Sequence, residues 1–194
     1  MYLAGFSLKR VFSYIEFTNI VCNSLDKDYV NFDYCYLKSV NRSYKYLSIK
    51  AKLLKPVTNL KIRYAFLKRE NGYKPFLYNI TFDGCGFLKS ANNPVTKFLF
   101  DAFKEYTNIN HSCPFYDDFT LEKLDTKTLA DNLSRLPVPA GQYGSLATWF
   151  ISNVSHTQYR ALSSYTDGDG DGDGSGRFIE VQWEKHHCKH CHES

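Results

Sequence analysis

The sequence predicts a mainly β protein, folded as a β-sandwich that carries one inserted amphipathic helix. Three observations lead to this fold class. Aromatic residues make up 16% of the 194-residue chain, against one methionine, and aromatic side chains favour pleated sheets. Six segments alternate polar and apolar residues with the period of a strand. One further segment has helical spacing instead, so the sandwich is expected to carry a helical insertion.

The strand segments run through most of the chain. They are residues 14–22, 32–38, 44–54, 60–68, 76–82 and 143–152. Asn71 and Gly72, between the fourth and the fifth segment, predict a turn that joins two strands. Strands at such short intervals are typical of a sandwich.

The helical segment begins after Asn93, a suitable capping residue, with Pro94 in the first turn. Apolar residues then recur at helical spacing: Val95, Phe98, Leu99, Ala102, Phe103 and Tyr106. We therefore expect an amphipathic helix over residues 94–106, with its apolar stripe buried against the sandwich. A second short helix is expected to carry Leu129, Leu133 and Leu136.

Composition divides the chain into three parts. Residues 1–13 are interpreted as a leader remnant or a disordered segment, because their apolar patch is too short for a signal peptide. Residues 14–166 form the predicted domain. Residues 167–194 form an acidic, glycine-rich linker followed by a His/Cys tail, predicted to be disordered. The tail has seven acidic and three basic residues, so it carries −4 and leaves +8 on the rest of the chain.

The basic residues of the domain alternate with apolar ones along the strands. Lys50, Lys52, Lys61 and Arg63 are examples, and we expect them to project away from the core. A nucleic-acid-binding protein would concentrate its basic residues in a stripe or a known module, which argues against that class. No apolar run approaches the roughly twenty residues that span a bilayer, so the protein is not expected to cross a membrane.

Four cysteines lie in the domain, and none has the spacing of a metal ligand. They predict two disulfides and an oxidising, extracellular compartment. We predict the pairs Cys22–Cys35 and Cys85–Cys113, because each encloses a local excursion, a hairpin in the first case and the helical insertion in the second. Five glycosylation sequons agree with secretion, at Asn41, Asn79, Asn110, Asn132 and Asn153.

No arrangement of residues predicts catalysis, so the chain is not expected to be an enzyme. His111 lies close to Cys113, but a disulfide of that cysteine is the favoured interpretation. His156 is the other histidine of the domain, and Asp83 is interpreted as a turn carboxylate.

The tail contains weak candidates for metal binding. Asp169, Asp171, Asp173 and Glu180 have the spacing of a calcium loop, and His187, Cys188 and Cys191 belong to a run of soft donors that suits zinc or copper. An Asp-Gly repeat produces the first pattern automatically, and the second lacks a partner segment. A flexible linker is therefore favoured, with no metal and no cofactor.

Six stretches in colinear order carry a resemblance to a known family. They are FTNIVC at 17–22, CYLKSVNR at 35–42, LKRENGYKPFLYN at 67–79, FDGC at 82–85, YTNINHSCP at 106–114 and LPVPAGQY at 136–143. They resemble a secreted four-cysteine family of insects, the DM8-type domain of unknown function. It is similar to the chemosensory CheB proteins and, more distantly, to ML lipid-recognition domains.

The resemblance implies an immunoglobulin-like, ML-like sandwich with an apolar ligand cavity, and a final edge strand near residues 158–161. It also implies a secreted product that senses or carries hydrophobic molecules. The tail from residue 167 lies outside the resemblance.

The first functional hypothesis is a secreted binding protein for a lipid or another hydrophobic small molecule, with a role in chemosensation. The inward positions expected to line its pocket are Phe17, Ile49, Ile62, Tyr64, Phe66, Ile80, Phe82, Phe98, Phe103 and Trp149. A carrier of this kind is expected to hold a void of at least about 300 Å³ between its sheets.

The alternative is an extracellular protein–protein interaction module with a solid core. It would bind a receptor or a channel through exposed aromatic residues at 73–76 and 139–143. The size of the void between the sheets is the observation that separates the two hypotheses most directly.

Overall fold

The computed structural model describes residues 12–42, 44–133, 138–152 and 154–168, which form eight antiparallel strands in two sheets. The strands are β1 (Phe12–Ser24), β2 (Val30–Ser39), β3 (Lys45–Leu53), β4 (Lys61–Glu70), β5 (Gly72–Asp83), β6 (Phe119–Asp125), β7 (Gly141–Ile151) and β8 (Val154–Gly168). The larger sheet has the order β1-β8-β7-β4-β5, and the smaller one has the order β2-β3-β6. The predicted mainly β sandwich is confirmed.

Each of the six predicted segments overlaps an observed strand. The predicted turn joins β4 to β5, where Gly72 has the positive φ of 99° that glycine tolerates. The prediction missed β6, and it was wrong about the last strand. β8 is not at an edge, because it lies between β1 and β7.

The helices are α1 (Gly84–Ser90), α2 (Pro94–Asp101) and α3 (Thr126–Leu133), and a 3₁₀ turn, Lys104–Tyr106, follows α2. The second short helix that the sequence predicts corresponds to α3, which carries Leu129 and Leu133, whereas α1 was not predicted. α1, α2 and the 3₁₀ turn lie between β5 and β6, and α3 lies between β6 and β7. The expected position of Leu136 in α3 lies outside the described residues.

Side-chain caps begin both helices of the first insertion. A carboxylate oxygen of Asp83 accepts a hydrogen bond from the backbone N–H of Gly86 at 3.0 Å. The side-chain oxygen of Asn93 accepts one from the N–H of Thr96, also at 3.0 Å. The predicted cap is therefore present, but α2 ends at Asp101 rather than at residue 106, and the 3₁₀ turn takes up the remainder.

Both predicted disulfides are present. Cys22–Cys35 joins β1 to β2 with its Cα atoms 6.1 Å apart. The sequence predicts that this disulfide encloses a hairpin, and that prediction is wrong. The two strands belong to different sheets, so the disulfide links one sheet to the other. Cys85–Cys113 joins α1 to the loop before β6 with its Cα atoms 5.3 Å apart, so it encloses the helical insertion as predicted.

The folded part extends slightly beyond the predicted domain of residues 14–166, because β1 begins at Phe12 and β8 ends at Gly168. The predictions for residues 1–11 and 169–194 fall outside the described residues. These are the N-terminal segment, the disordered tail and the metal candidates Asp169, Asp171, Asp173, Glu180, His187, Cys188 and Cys191. Over the described ranges, no helix is both long enough and apolar enough to cross a membrane.

Candidate ligand cavity

A partly open, apolar cavity of about 230 Å³ lies between the two sheets and beneath the helices. Phe17, Ile62 and Trp149 line it from the larger sheet, and Ile49 and Leu121 from the smaller one. Its volume is below the roughly 300 Å³ expected of a carrier. The sandwich therefore has neither a solid core nor the larger void that was expected.

Small side chains on the two central strands leave this space open. Ser145 of β7 lies directly opposite Ala161 of β8, and both face the cavity together with Thr157. Larger side chains such as Phe17 and Trp149 separate the sheets nearby, and the small ones do not fill the gap. A packed interior would place large side chains at these positions.

Aromatic side chains from the end of β5, from α1 and from α2 and the residues just after it line one side of the cavity. Phe82, Phe87, Phe100 and Phe103 form a chain of edge-to-face contacts, with ring centroids 6.1, 5.7 and 5.4 Å apart. All four rings line the cavity, and all are only half-buried. The helical cover is thus held together by ring contacts and anchored by the Cys85–Cys113 disulfide.

The hydroxyl groups of Tyr64, Ser145 and Tyr159 form a polar spot on the wall of the larger sheet. Tyr64, Ala147 and Tyr159 lie opposite one another across β4, β7 and β8, so their side chains share the inner face. The hydroxyl oxygens of Tyr64 and Ser145 lie 3.0 Å apart. Burial raises the pKa of Tyr64 and that of Tyr159, so both phenols are neutral over the physiological pH range.

A second polar atom borders the cavity on α2. The hydroxyl oxygen of Thr96 is buried and has no hydrogen-bond partner within the described part of the chain. The hydroxyl of Thr107, also in the lining, donates a hydrogen bond to the backbone carbonyl of Thr120 at 2.8 Å. Among the described residues, the hydroxyl of Thr107 therefore has a partner and that of Thr96 has none.

Charged side chains are absent from the described lining of the cavity. Lys50 lies on the outer face of β3, with its ammonium group 3.1 Å from a carboxylate oxygen of Asp33. The guanidinium of Arg63 lies 5.5 Å from the ring centroid of Phe150. Lys52 and Lys61 are exposed, as expected of strand residues that face solvent.

The structure brings seven of the ten predicted pocket residues to the cavity. They are Phe17, Ile49, Ile62, Tyr64, Phe82, Phe103 and Trp149. Phe66, Ile80 and Phe98 are outside the lining, and each needs a correction. Phe66 stacks on Tyr143 with the ring centroids 5.2 Å apart, in a separate cluster. Ile80 is half-buried on β5, at the margin of the larger sheet.

Phe98 is outside the lining because the buried face of α2 is rotated from the predicted stripe. The lining residues of this segment are Thr96, Leu99, Phe100, Ala102 and Phe103, so Leu99, Ala102 and Phe103 of the predicted stripe do face the cavity. The sequence prediction placed Phe98 on the buried face because it has helical spacing with Val95, Ala102 and Tyr106. A polar Thr96 at the start of the stripe hid the correct phase.

Sequence reasoning also missed the residues that shape the cavity on β8. Thr157, Tyr159 and Ala161 alternate with residues of the outer face, but they are polar, amphipathic or small and did not indicate a strand. The period-two alternation in residues 157–163 was the available signal. Leu121 and Leu124 of β6 were missed because a bulge at Lys123, with φ of 50°, interrupts the pattern.

The residues considered for catalysis have other contacts. The sulfur of Cys113 is bonded to Cys85, so it is not a free nucleophile. His111 is exposed, with its Nδ1 2.7 Å from the backbone oxygen of Ser112. Asp83 caps α1, and the side chain of His156 is outside the described part.

Three of the sequon asparagines, Asn41, Asn79 and Asn110, are exposed. Asn132 is half-buried at the end of α3, and Asn153 lies outside the described residues. Surface exposure is compatible with attachment of a glycan at the first three positions and leaves glycosylation itself a prediction.

The fold and the cavity define a disulfide-linked β-sandwich with a helical cover over an apolar interior space. Over residues 62–144 the chain is similar to the family described as "Protein of unknown function (DUF1091)". The matched part runs from β4 into β7 and includes α1, α2 and the Cys85–Cys113 disulfide. No curated protein matches the chain.

Proposed function

We propose that this protein binds a slim, apolar small molecule in the cavity between its two sheets. The observation that carries the proposal is the cavity itself, which is partly open and lined from both sheets and the helices without a charged side chain among the described residues. Burying an apolar ligand there gains free energy in proportion to the area removed from water, roughly 25 cal/mol per Å². A polar metabolite would lose its hydrogen bonds with water.

The volume restricts the ligand to a narrow class. At about 230 Å³ the cavity is smaller than the pockets that hold drug-sized molecules. A single acyl or alkyl chain fits this description better than a sterol or a lipid with two chains. Phe87 and Phe100, which are half-buried and line the cavity, would contact such a chain.

The resemblance to the insect secreted four-cysteine family, to CheB proteins and to ML lipid-recognition domains supports the same proposal. With the two disulfides it also supports a secreted protein of an oxidising compartment. On this basis we infer a role as an extracellular carrier or sensor of hydrophobic molecules in chemosensation.

Titration with the fluorescent probe N-phenyl-1-naphthylamine tests the proposal. The wild-type protein should bind the probe, and an Ala161→Leu variant should bind it at least tenfold more weakly because the added methyl groups enter the cavity. Ala140→Leu, at an exposed position outside the cavity, is the matched control and should bind as the wild type does. No probe binding by a folded wild-type protein would refute the proposal.

One observation favours the alternative of an extracellular interaction module. Four tyrosine rings form a ladder on the outer face of the smaller sheet, in the order Tyr34, Tyr36, Tyr46 and Tyr44, with successive ring centroids 5.8, 6.3 and 5.9 Å apart. Tyr36 and Tyr44 are 40% and 37% exposed. Exposed tyrosines of this kind are enriched in protein interfaces.

The regions first expected to serve as that interface are less suitable, because Tyr143 is buried and Phe76 packs against it. Binding of fluorescently labelled protein to cells of the producing tissue tests the alternative. A Tyr36→Ser/Tyr44→Ser variant should lose this binding, whereas Ala161→Leu should retain it.

A further inference from the structure

The phenol of Tyr159 faces the apolar cavity and has no hydrogen-bond partner among the described residues. Its neighbour on β7 is Ala147, which is fully buried and carries no side-chain polar group. Its neighbour on β1 is Cys22, whose sulfur is bonded to Cys35. Tyr159 is half-buried, and its ring faces the cavity. Tyrosine hydroxyls in apolar surroundings normally have a hydrogen-bond partner, and a ligand in the cavity is in a position to supply one.

Other hydroxyl groups share this wall of the cavity with Tyr159. Tyr64 lies in the same cross-strand row, on the other side of Ala147, and its hydroxyl is 3.0 Å from that of Ser145. One of these two hydroxyl groups donates a hydrogen bond to the other, and both oxygens keep lone pairs that can accept a hydrogen bond from a ligand. The wall therefore offers neutral donors and acceptors at one place in an otherwise apolar lining.

The same place discriminates against ionised ligands. The described lining contains no lysine, arginine or histidine that would pair with a carboxylate. An ion brought into the cavity would lose its hydration without a compensating charge. A saturated hydrocarbon fits the cavity but leaves the hydroxyl of Tyr159 without a partner.

We propose that the natural ligand is a neutral single-chain molecule with one oxygen function, such as a long-chain alcohol, aldehyde, ketone or ester. Its oxygen accepts a hydrogen bond from the hydroxyl of Tyr159, and its chain lies along the apolar walls. This inference rests on the proposed function, because it assigns the ligand class of the same cavity.

Competition against N-phenyl-1-naphthylamine with three ligands of equal chain length tests the inference. The ligands are octan-1-ol, octane and octanoate at neutral pH. For the wild type we expect octan-1-ol to bind about threefold to tenfold more tightly than octane, which is the range for one neutral hydrogen bond. Octanoate should bind more weakly than either.

The variant Tyr159→Phe removes the hydroxyl and keeps the ring. It should lower the affinity for octan-1-ol to that for octane and leave the affinity for octane unchanged. Tyr116→Phe, at a position that is 71% exposed, is the matched control and should behave as the wild type does. Without ligand, Tyr159→Phe should melt no lower than the wild type, because it loses no hydrogen bond.

The outcomes separate this inference from the proposed function. Equal affinities of the wild type for octan-1-ol and octane, or tighter binding of octanoate, would overturn the inference while the cavity remains a binding site. Failure of the probe and of all three ligands to bind the folded wild type would overturn both.

Discussion

Thr96 and Thr107 both line the cavity, yet their hydroxyl groups are in opposite situations. The hydroxyl of Thr96 is buried without a partner in the described part of the protein, and that of Thr107 donates to the carbonyl of Thr120. A buried polar group without a partner costs free energy, whereas a satisfied one contributes about 0.5–1.5 kcal/mol. The two positions therefore allow a matched comparison within one cavity.

Thr96→Val should leave the free energy of unfolding unchanged or raise it slightly, because it replaces an unsatisfied hydroxyl with a methyl group. Thr107→Val should lower it by about 1 kcal/mol. Urea denaturation measures both values. The interpretation of Thr96 is wrong if its variant loses as much stability as that of Thr107.

Two phenylalanines of α2 differ in their relation to the cavity. Phe100 lines it, whereas Phe98, two residues earlier, does not. Both are half-buried, so the truncation of either one removes packing. Only the truncation of Phe100 changes the walls of the cavity.

Phe100→Ala should change the affinity for N-phenyl-1-naphthylamine by about threefold or more, because a ring that contacts the ligand space is lost. Phe98→Ala should leave it within twofold of the wild type. Fluorescence titration of both variants, after their folding is checked by circular dichroism, distinguishes the two faces of α2. Equal effects would place Phe98 at the cavity after all.

A cluster of charged side chains at the C-terminal end of α2 makes the stability of the folded protein depend on pH. Lys97 and Lys104 both bond to the carboxylate of Asp101, and these hydrogen bonds lower its pKa. A carboxyl group with a lowered pKa stabilises the folded state above the ordinary aspartate range. This stabilisation is lost as the pH falls through its pKa in the folded state.

Asp101→Asn should therefore be less stable than the wild type near pH 7, and the difference should shrink as the pH falls below about 4. The effect should be small, because the carboxylate is exposed and the pairs are screened by solvent. Thermal melts of both proteins across this range measure it. A difference that grows towards acid pH would contradict the pairing.

Elements with a strong apolar period were predictable, and those shaped by the cavity were not. β3 and β4 alternate large apolar and polar residues, and α2 has both a cap and a helical stripe. β8 escaped prediction as a long central strand because its inner face carries small and polar groups that leave space. α1 is only seven residues long, too short for its period to stand out.

The residues of the cavity were likewise only partly predictable from the sequence. A sequence pattern can show which side chains point inwards, and it identified most of the lining. It cannot show whether inward side chains meet or leave a void, because that depends on how far apart the two sheets lie. The polar spot of Tyr159 required both the register of β7 with β8 and the empty space in front of it.

At the scale of the whole molecule, each of the two disulfides links a different pair of structural elements. Cys22–Cys35 joins the two sheets, and Cys85–Cys113 anchors the helical cover. They close loops with sequence separations of 13 and 28 residues, for which the loop-entropy model gives about 3 to 4 kcal/mol each.

Replacement of Cys85 and Cys113 by alanine should lower the free energy of unfolding by about 3 kcal/mol and weaken probe binding, because the cover loses its anchor. Replacement of Cys22 and Cys35 should have a similar effect on stability. Urea denaturation and probe titration of the two double variants measure both effects. Unchanged probe affinity in the first variant would show that the cover does not depend on its disulfide.

The position of β8 has a consequence for how the chain acquires its structure during synthesis. β1 is the first of the described strands to leave the ribosome, yet among the described strands of the larger sheet it pairs only with β8, the last of them to be made. Until β8 arrives, β1 has no partner within that sheet, and β7 is an open edge that can pair with other chains. Such pairing between the two ends of the sequence is slow, because a long loop must close before any contact forms. Backbone amides of β1 should therefore be among the last to gain protection from hydrogen exchange during refolding.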